Sequence, residues 1–165
     1  MSIHDGWRFC PRCATELEAP GDRLHCPGCG TDYWANSMPA TQGFLERDGR
    51  VLLGRRKHEP RKGHWDIPGG FLNEGEEPID GLRREFLEET GIEVEPVEFL
   101  GAFIDPYDGR YVLGLGWIVT GDGEPQAADD IEELTWFAPD ELPAEMAFPT
   151  QVQALQLWAA RPRRA

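Results

Sequence analysis

The spacing of apolar residues changes along the chain, and each change marks an element. In "TQGFLERDGRVLLGRR", Thr41 to Arg56, apolar stretches flank Arg47, Asp48 and Gly49. That is the pattern of two strands joined by a tight turn. Further on, Pro78 suits the first turn of a helix and Gly91 suits its end. Between them the spacing predicts a helix over Glu77 to Thr90, with Ile79, Leu82, Phe86 and Leu87 as its core face. In the closing "FPTQVQALQLWAARPRRA", Val152, Leu155, Trp158 and Ala159 share one face. This predicts a docked C-terminal helix, with a basic tail (161–165) for which no structure is expected. The turn-rich "WANSMPA", Trp34 to Ala40, divides a small N-terminal module (1–36) from a main domain (37–160).

The polar side of the predicted long helix is unusual. Glu85, Glu88 and Glu89 fall on one arc, where like charges at this spacing cost a few tenths of a kcal/mol per pair. Gly81 lies on the same arc, and Gly in a helix interior costs roughly 1 kcal/mol relative to Ala. Carboxylates so crowded can converge on a hard cation such as Mg²⁺ or Mn²⁺, which removes the repulsion and bridges to substrate phosphates. A solvated acidic helix face is the alternative.

Charge narrows the partners. The chain has 165 residues and a net charge of −14, from 16 Lys+Arg against 30 Asp+Glu. Such a surface disfavours nucleic-acid binding but not a small nucleotide, provided positive charge is supplied locally. "RRKHEPRKGH" supplies it: Arg55 and Arg56, aided by Arg61 and Lys62, are the candidate phosphate clamp, with a solvated turn as the alternative. No apolar run reaches the length of a membrane span, and the first residues do not read as a secretory leader, so a cytoplasmic protein is expected. A homodimer is left open.

The cysteines come early, as "CPRC" (Cys10, Cys13) and "CPGC" (Cys26, Cys29). Without an export signal, this spacing speaks for a four-thiolate structural zinc site rather than two disulfides. A module this small needs the metal to fold, and it resembles a zinc ribbon of two short hairpins.

"GFLNEGEEPIDGLRREFLEETGI" fills every defined position of the Nudix box: Gly70, Glu76, Arg84, Glu85, Phe86, Glu88, Glu89, Gly91 and Ile92. With the flanking "GHWDIPGG" and "LTWFAPDELP", the resemblance to the Nudix hydrolases runs from about Met38 to Trp158. It implies an α/β fold, an α/β/α sandwich with a mixed sheet. It also implies hydrolysis of a nucleoside diphosphate linked to another moiety. By the family pattern Glu85 and Glu89 are metal ligands, supported by Glu88 and the Gly70 carbonyl, while Arg84 orients a box glutamate together with Glu76. The general base is a box glutamate or a carboxylate of "DDIEELTWF", Glu132 or Glu133. Tyr107, Tyr111, Trp117 and Phe148 are candidates for stacking on a base or flavin. A ribbon ahead of the box is similar to the pyrophosphatases of FAD, ADP-ribose and NADH. The Ser-Gln-Pro-Trp-Pro-Phe-Pro run of the NADH type does not occur, so the expected order is FAD, ADP-ribose, then NAD(H), with AMP released. The alternatives are a ligand-binding regulator on the same fold and a nucleoside triphosphate pyrophosphohydrolase.

Overall fold

Asp48 and Gly49 both adopt positive φ, 51° and 73°, which turns β3 (Met38–Arg47) tightly back into β4 (Arg50–Arg56). The computed structural model describes residues 4–162. Ahead of this hairpin, β1 (Arg23–His25) and β2 (Asp32–Trp34) form a separate antiparallel pair. After it come β5 (Trp65–Asp66), α1 (Pro78–Thr90), β6 (Glu95–Tyr107), β7 (Arg110–Thr120), β8 (Ile131–Phe137) and α2 (Pro149–Ala160).

β3 and β4 pair only beside their turn, at Glu46↔Val51 and Arg47↔Arg50. β3 then leaves β4 and runs parallel to β7 from Met38 to Leu45. β4 continues with β5 and β8 as antiparallel neighbours, and β6 closes the far side against β7. The sheet is therefore mixed, and it opens between β3 and β4. The loop after β5 crosses that opening, where the Thr41 amide donates to the Gly70 carbonyl and the Gly43 amide to the Pro68 carbonyl, each at 2.9 Å.

Around their shared turn β3 and β4 are buried on both faces, so Phe44–Leu45 and Val51–Leu53 run on rather than alternate with polar residues. Phe44, Val51, Leu53 and Ile118 point to the α2 side, with Ala154, Leu155 and Trp158. Their neighbours Leu45, Leu52 and Val119 point to the α1 side, with Leu82 and Phe86. Helix–sheet–helix layering follows from this alternation.

Each helix buries a narrower stripe than its sequence suggests. In α1, Leu82 and Phe86 are buried, but Ile79 and Leu87 are exposed. The helix is rolled so that Glu89 and Thr90 go inward instead. Gly43 lets Phe86 lie flat on β3, since a Cβ there would stand 2.8 Å from the ring. In α2, Val152 is exposed, and Gln151, Ala154, Leu155 and Trp158 form the buried stripe. Arg161 does not begin a loose tail: its guanidinium lies 3.8 Å from Glu46 and 3.4 Å from Glu98. The rest of the expected basic tail, from 163 onward, lies outside the described residues. No helix among the described residues is long and apolar enough to cross a membrane.

Candidate functional site

The four cysteine sulfurs lie within 4.8 Å of one another. The Sγ atoms of Cys10 and Cys29 are 3.7 Å apart, and those of Cys13 and Cys26 are 3.4 Å apart. Tetrahedral zinc with bonds of about 2.3 Å separates its sulfurs by about 3.8 Å, so the donor set fits that ion. Hydroxyls gather around the sulfurs, with Tyr33 Oη 3.1 Å from Cys10 and Thr31 Oγ1 3.2 Å from Cys29. The first knuckle is closed by the bridge Phe9↔Glu16 and the second by β1 and β2.

A cleft of roughly 370 Å³ occupies the opening between β3 and β4. One wall is the glutamate arc of α1, reached across the loop at Gly69 and Gly70. Gly69 has φ 146° and its Cβ would collide with the Thr41 carbonyl; a Cβ on Gly70 would collide with the Glu85 carboxylate. Gly69 is therefore required by its close approach to backbone, whereas a side chain at Gly70 would displace the Glu85 carboxylate. The space beside Gly81 is taken by Leu72 and Glu76.

Arg84 organises this wall. Its Nε and Nη2 donate to the two oxygens of Glu76 at 2.8 Å each, Nη1 reaches Glu85 at 2.7 Å and Glu88 at 3.2 Å, and Nη2 also donates to the Phe71 carbonyl at 3.1 Å. The Arg84 contact, together with the Asn73 amide, holds the Glu76 carboxyl down at about 2. Glu89 is only 6% exposed and accepts the Gly69 amide at 2.8 Å. Burial pushes its carboxyl well above the ordinary range; the Gly69 amide opposes this, and the charges of Asp66, Glu85 and Asp130 add to it. Burial also raises Glu85, against Arg84 and with Glu88 and Asp129. Hard oxygen donors whose mutual repulsion is offset only in part by Arg84 and the Gly69 amide fit Mg²⁺ or Mn²⁺. Among the described residues, only the cysteines form a donor set within 4.8 Å, so these carboxylates stand apart in this form.

The basic segment divides. Arg56 lines the cleft, half-buried, with Nη1 2.6 Å from Asp66 and Nε donating to the Pro60 carbonyl. Arg55 points elsewhere and pairs with Glu132 at 3.0 Å and Glu133 at 2.5 Å. Successive strand residues face opposite sides, which accounts for the split. Glu132 and Glu133 are consequently engaged outside the cleft lining. The acids that the approach to β8 brings to the cleft are Asp129 and Asp130. The expected segment thus reaches the cleft through Asp129 and Asp130 rather than through Glu132 or Glu133, because the register of β8 on β4 decides which acids face inward. Of the aromatic candidates, Tyr107 and Phe148 line the cleft, joined by Phe71. Trp117 packs edge-on against Phe99, and Tyr111 is exposed.

A NUDIX domain model matches residues 38–158. The chain is 35% identical over 141 residues to the NAD-capped RNA hydrolase NudC of Chromobacterium violaceum, covering 82% of this chain and 52% of that protein. It is 38% identical over 113 residues to the ADP-ribose pyrophosphatase of Methanocaldococcus jannaschii, covering 66% of each. The chain spans about half the length of the NudC relatives it matches. A crystal structure of a NUDIX hydrolase from Nitrosomonas europaea superposes with a TM-score of 0.76 at 26% identity, over 92% of this chain and 88% of that one. With the domain model matched over residues 38–158, every box position filled, and Gly70, Glu85, Glu88 and Glu89 lining one cleft, this chain belongs to the Nudix family.

Proposed function

We propose that the cleft hydrolyses the pyrophosphate bridge of an adenosine-containing dinucleotide or ADP-sugar, releasing AMP, with ADP-ribose and NAD(H) ahead of FAD. The named relatives act on NAD-capped RNA and ADP-ribose, which supports that order over the FAD-first expectation. The net charge of −14 favours a free dinucleotide over a capped RNA chain.

The observation that carries the reading is Glu89, a buried carboxylate held on the Gly69 amide beside Glu85. Glu85 and Glu89, with Glu88 and the second lone pair of the Gly70 carbonyl, would hold Mg²⁺ or Mn²⁺. A divalent cation bound there neutralises bridge oxygens and acidifies a water. The other roles fall to the chain itself. Arg84 fixes Glu85 and Glu88 while Glu76 fixes Arg84. Arg56 is the cation among the cleft-lining side chains, which also include Asp66, Asp105, Asp129, Asp130 and the three glutamates; it draws the diphosphate inward. Asp129 or Asp130 accepts the proton of the attacking water. Cys10, Cys13, Cys26 and Cys29 would hold a structural zinc away from this chemistry.

A panel of ADP-ribose, NADH, NAD⁺, FAD and nucleoside triphosphates, each with Mg²⁺ or Mn²⁺ and chromatography of products, tests the reading. AMP with ribose 5-phosphate or nicotinamide mononucleotide is expected. Efficient release of pyrophosphate from a triphosphate, with no AMP from the others, would overturn it.

A further inference from the structure

The sheet side of the cleft holds a group that the hydrolysis above does not use. Ala40 and Gln42 of β3, Val112 and Gly114 of β7, and Asp105 and Tyr107 of β6 line it together. Ala40 lies opposite Gly114, and Asp105 opposite Val112, so these residues share one face. The floor they form is low. A Cβ at Gly114 would meet nothing nearer than Gln42 Nε2, at 3.5 Å. Gly114 is thus small without being sterically obliged to be.

The carboxylates and the other carboxamide beside this floor, Asp105, Asp66 and Gln151, already have partners. Asp105 accepts from the Thr150 amide and hydroxyl. Asp66 accepts from Arg56 and Gln151, and Gln151 in turn accepts the Phe148 amide. The Gln42 side chain is different: it lines the cleft beside Gly114, and no hydrogen bond or ion pair among the described residues engages its amide. Aromatic rings line the same cleft, with Tyr107 edge-on to Phe71 at 5.4 Å and tilted against Phe148 at 5.7 Å. A planar ring resting on Ala40 and Gly114 would present its edge to Gln42.

We propose that Gln42 is a specificity-determining residue that reads the adjacent donor and acceptor of adenine, N6–H and N7, over the floor of Ala40 and Gly114. A carboxamide offers a donor and an acceptor side by side, and this pairing with adenine is bidentate. Hypoxanthine presents two acceptors on the same edge, so one of the two bonds is lost. The inference rests on the adenosine-nucleotide reading above and adds which atoms of the base are recognised.

The test compares AMP with IMP by calorimetric binding, and ADP-ribose with its hypoxanthine analogue in steady-state kinetics with Mg²⁺. Wild-type protein should favour adenine about tenfold or more in both, through Kd and KM rather than kcat. Gln42→Met, close in size but without the amide, should bring both ratios to near one with kcat little changed. Gly114→Val should weaken AMP and IMP alike by filling the floor. Equal affinity of wild type for AMP and IMP, no binding of either, or a preference that survives in Gln42→Met overturns the role of Gln42. Absence of ADP-ribose hydrolysis despite a Gln42-dependent AMP preference would instead overturn the proposed reaction.

Discussion

Glu89 Oε2 accepts the Gly69 amide at 2.8 Å across 20 residues of sequence. This bond ties the buried end of α1 to the loop that crosses the opening between β3 and β4. It also leaves a carboxylate inside the protein with Asp66, Glu85 and Asp130 as its charged neighbours. Glu89→Gln keeps the size and removes that charge, so metal-free protein should melt at a higher temperature than wild type. The same variant should lose turnover by orders of magnitude. Thermal melts with and without Mg²⁺ separate the effects, because added metal should stabilise wild type and not the variant.

Arg84 meets four acceptor groups, the carboxylates of Glu76, Glu85 and Glu88 and the Phe71 carbonyl. A lysine cannot reproduce the forked contact to Glu76 while reaching the others. Arg84→Lys should weaken metal affinity or activity by about 10–100-fold, as loss of a supporting contact does elsewhere. Metal titration of turnover measures this directly.

The Glu76 carboxyl is lowered by Arg84 from an ordinary value of 4.5 to about 2. Below 4.5 the unfolded chain binds a proton here that the folded chain does not. The contact therefore stabilises the fold above the unfolded value and is lost as pH falls through that window. Metal-free wild type should lose Tm between about pH 5 and pH 2.5 more steeply than Glu76→Gln. Parallel Tm curves would show that this pair contributes no such slope.

The two arginines at the end of β4 should separate. Arg56→Gln should raise KM well above wild type, since Arg56 lines the cleft; Arg55→Gln should change kinetics little, since its partners are Glu132 and Glu133. By the same geometry, at least one of Asp129→Asn and Asp130→Asn should lower kcat by about 10²-fold or more. Glu133→Gln should remain near wild type.

The box glutamates, the glycines, the β3–β4 turn and the cysteine knuckles could be read in the sequence because each is a local constraint. A turn, a helix end or a metal knuckle is specified by residues close together in the chain. What could not be read depends on how distant elements meet. Ile79 and Leu87 fit the helical period as well as Leu82 does, but the roll of α1 on β3 leaves them outside. Glu132 and Glu133 resemble Asp129 and Asp130 in composition, and only the pairing Arg55↔Glu133 commits them away from the cleft. Gln42 carries no motif; its role rests on β3 lying beside β7.

For the ribbon, metal analysis should find about one zinc per chain. Cys26→Ser should lower Tm and zinc content together while leaving kcat of the surviving folded enzyme close to wild type. Zinc-free protein with an unchanged Tm would contradict a structural metal.

The most direct measurement is product release from ADP-ribose with Mg²⁺, comparing wild type with Glu89→Gln at equal folded concentration. The account predicts AMP and ribose 5-phosphate in equal amounts from wild type, and at least about a hundredfold less from the variant. Equal AMP release from both proteins, or no AMP from wild type alongside rapid cleavage of a nucleoside triphosphate to monophosphate and pyrophosphate, would contradict it.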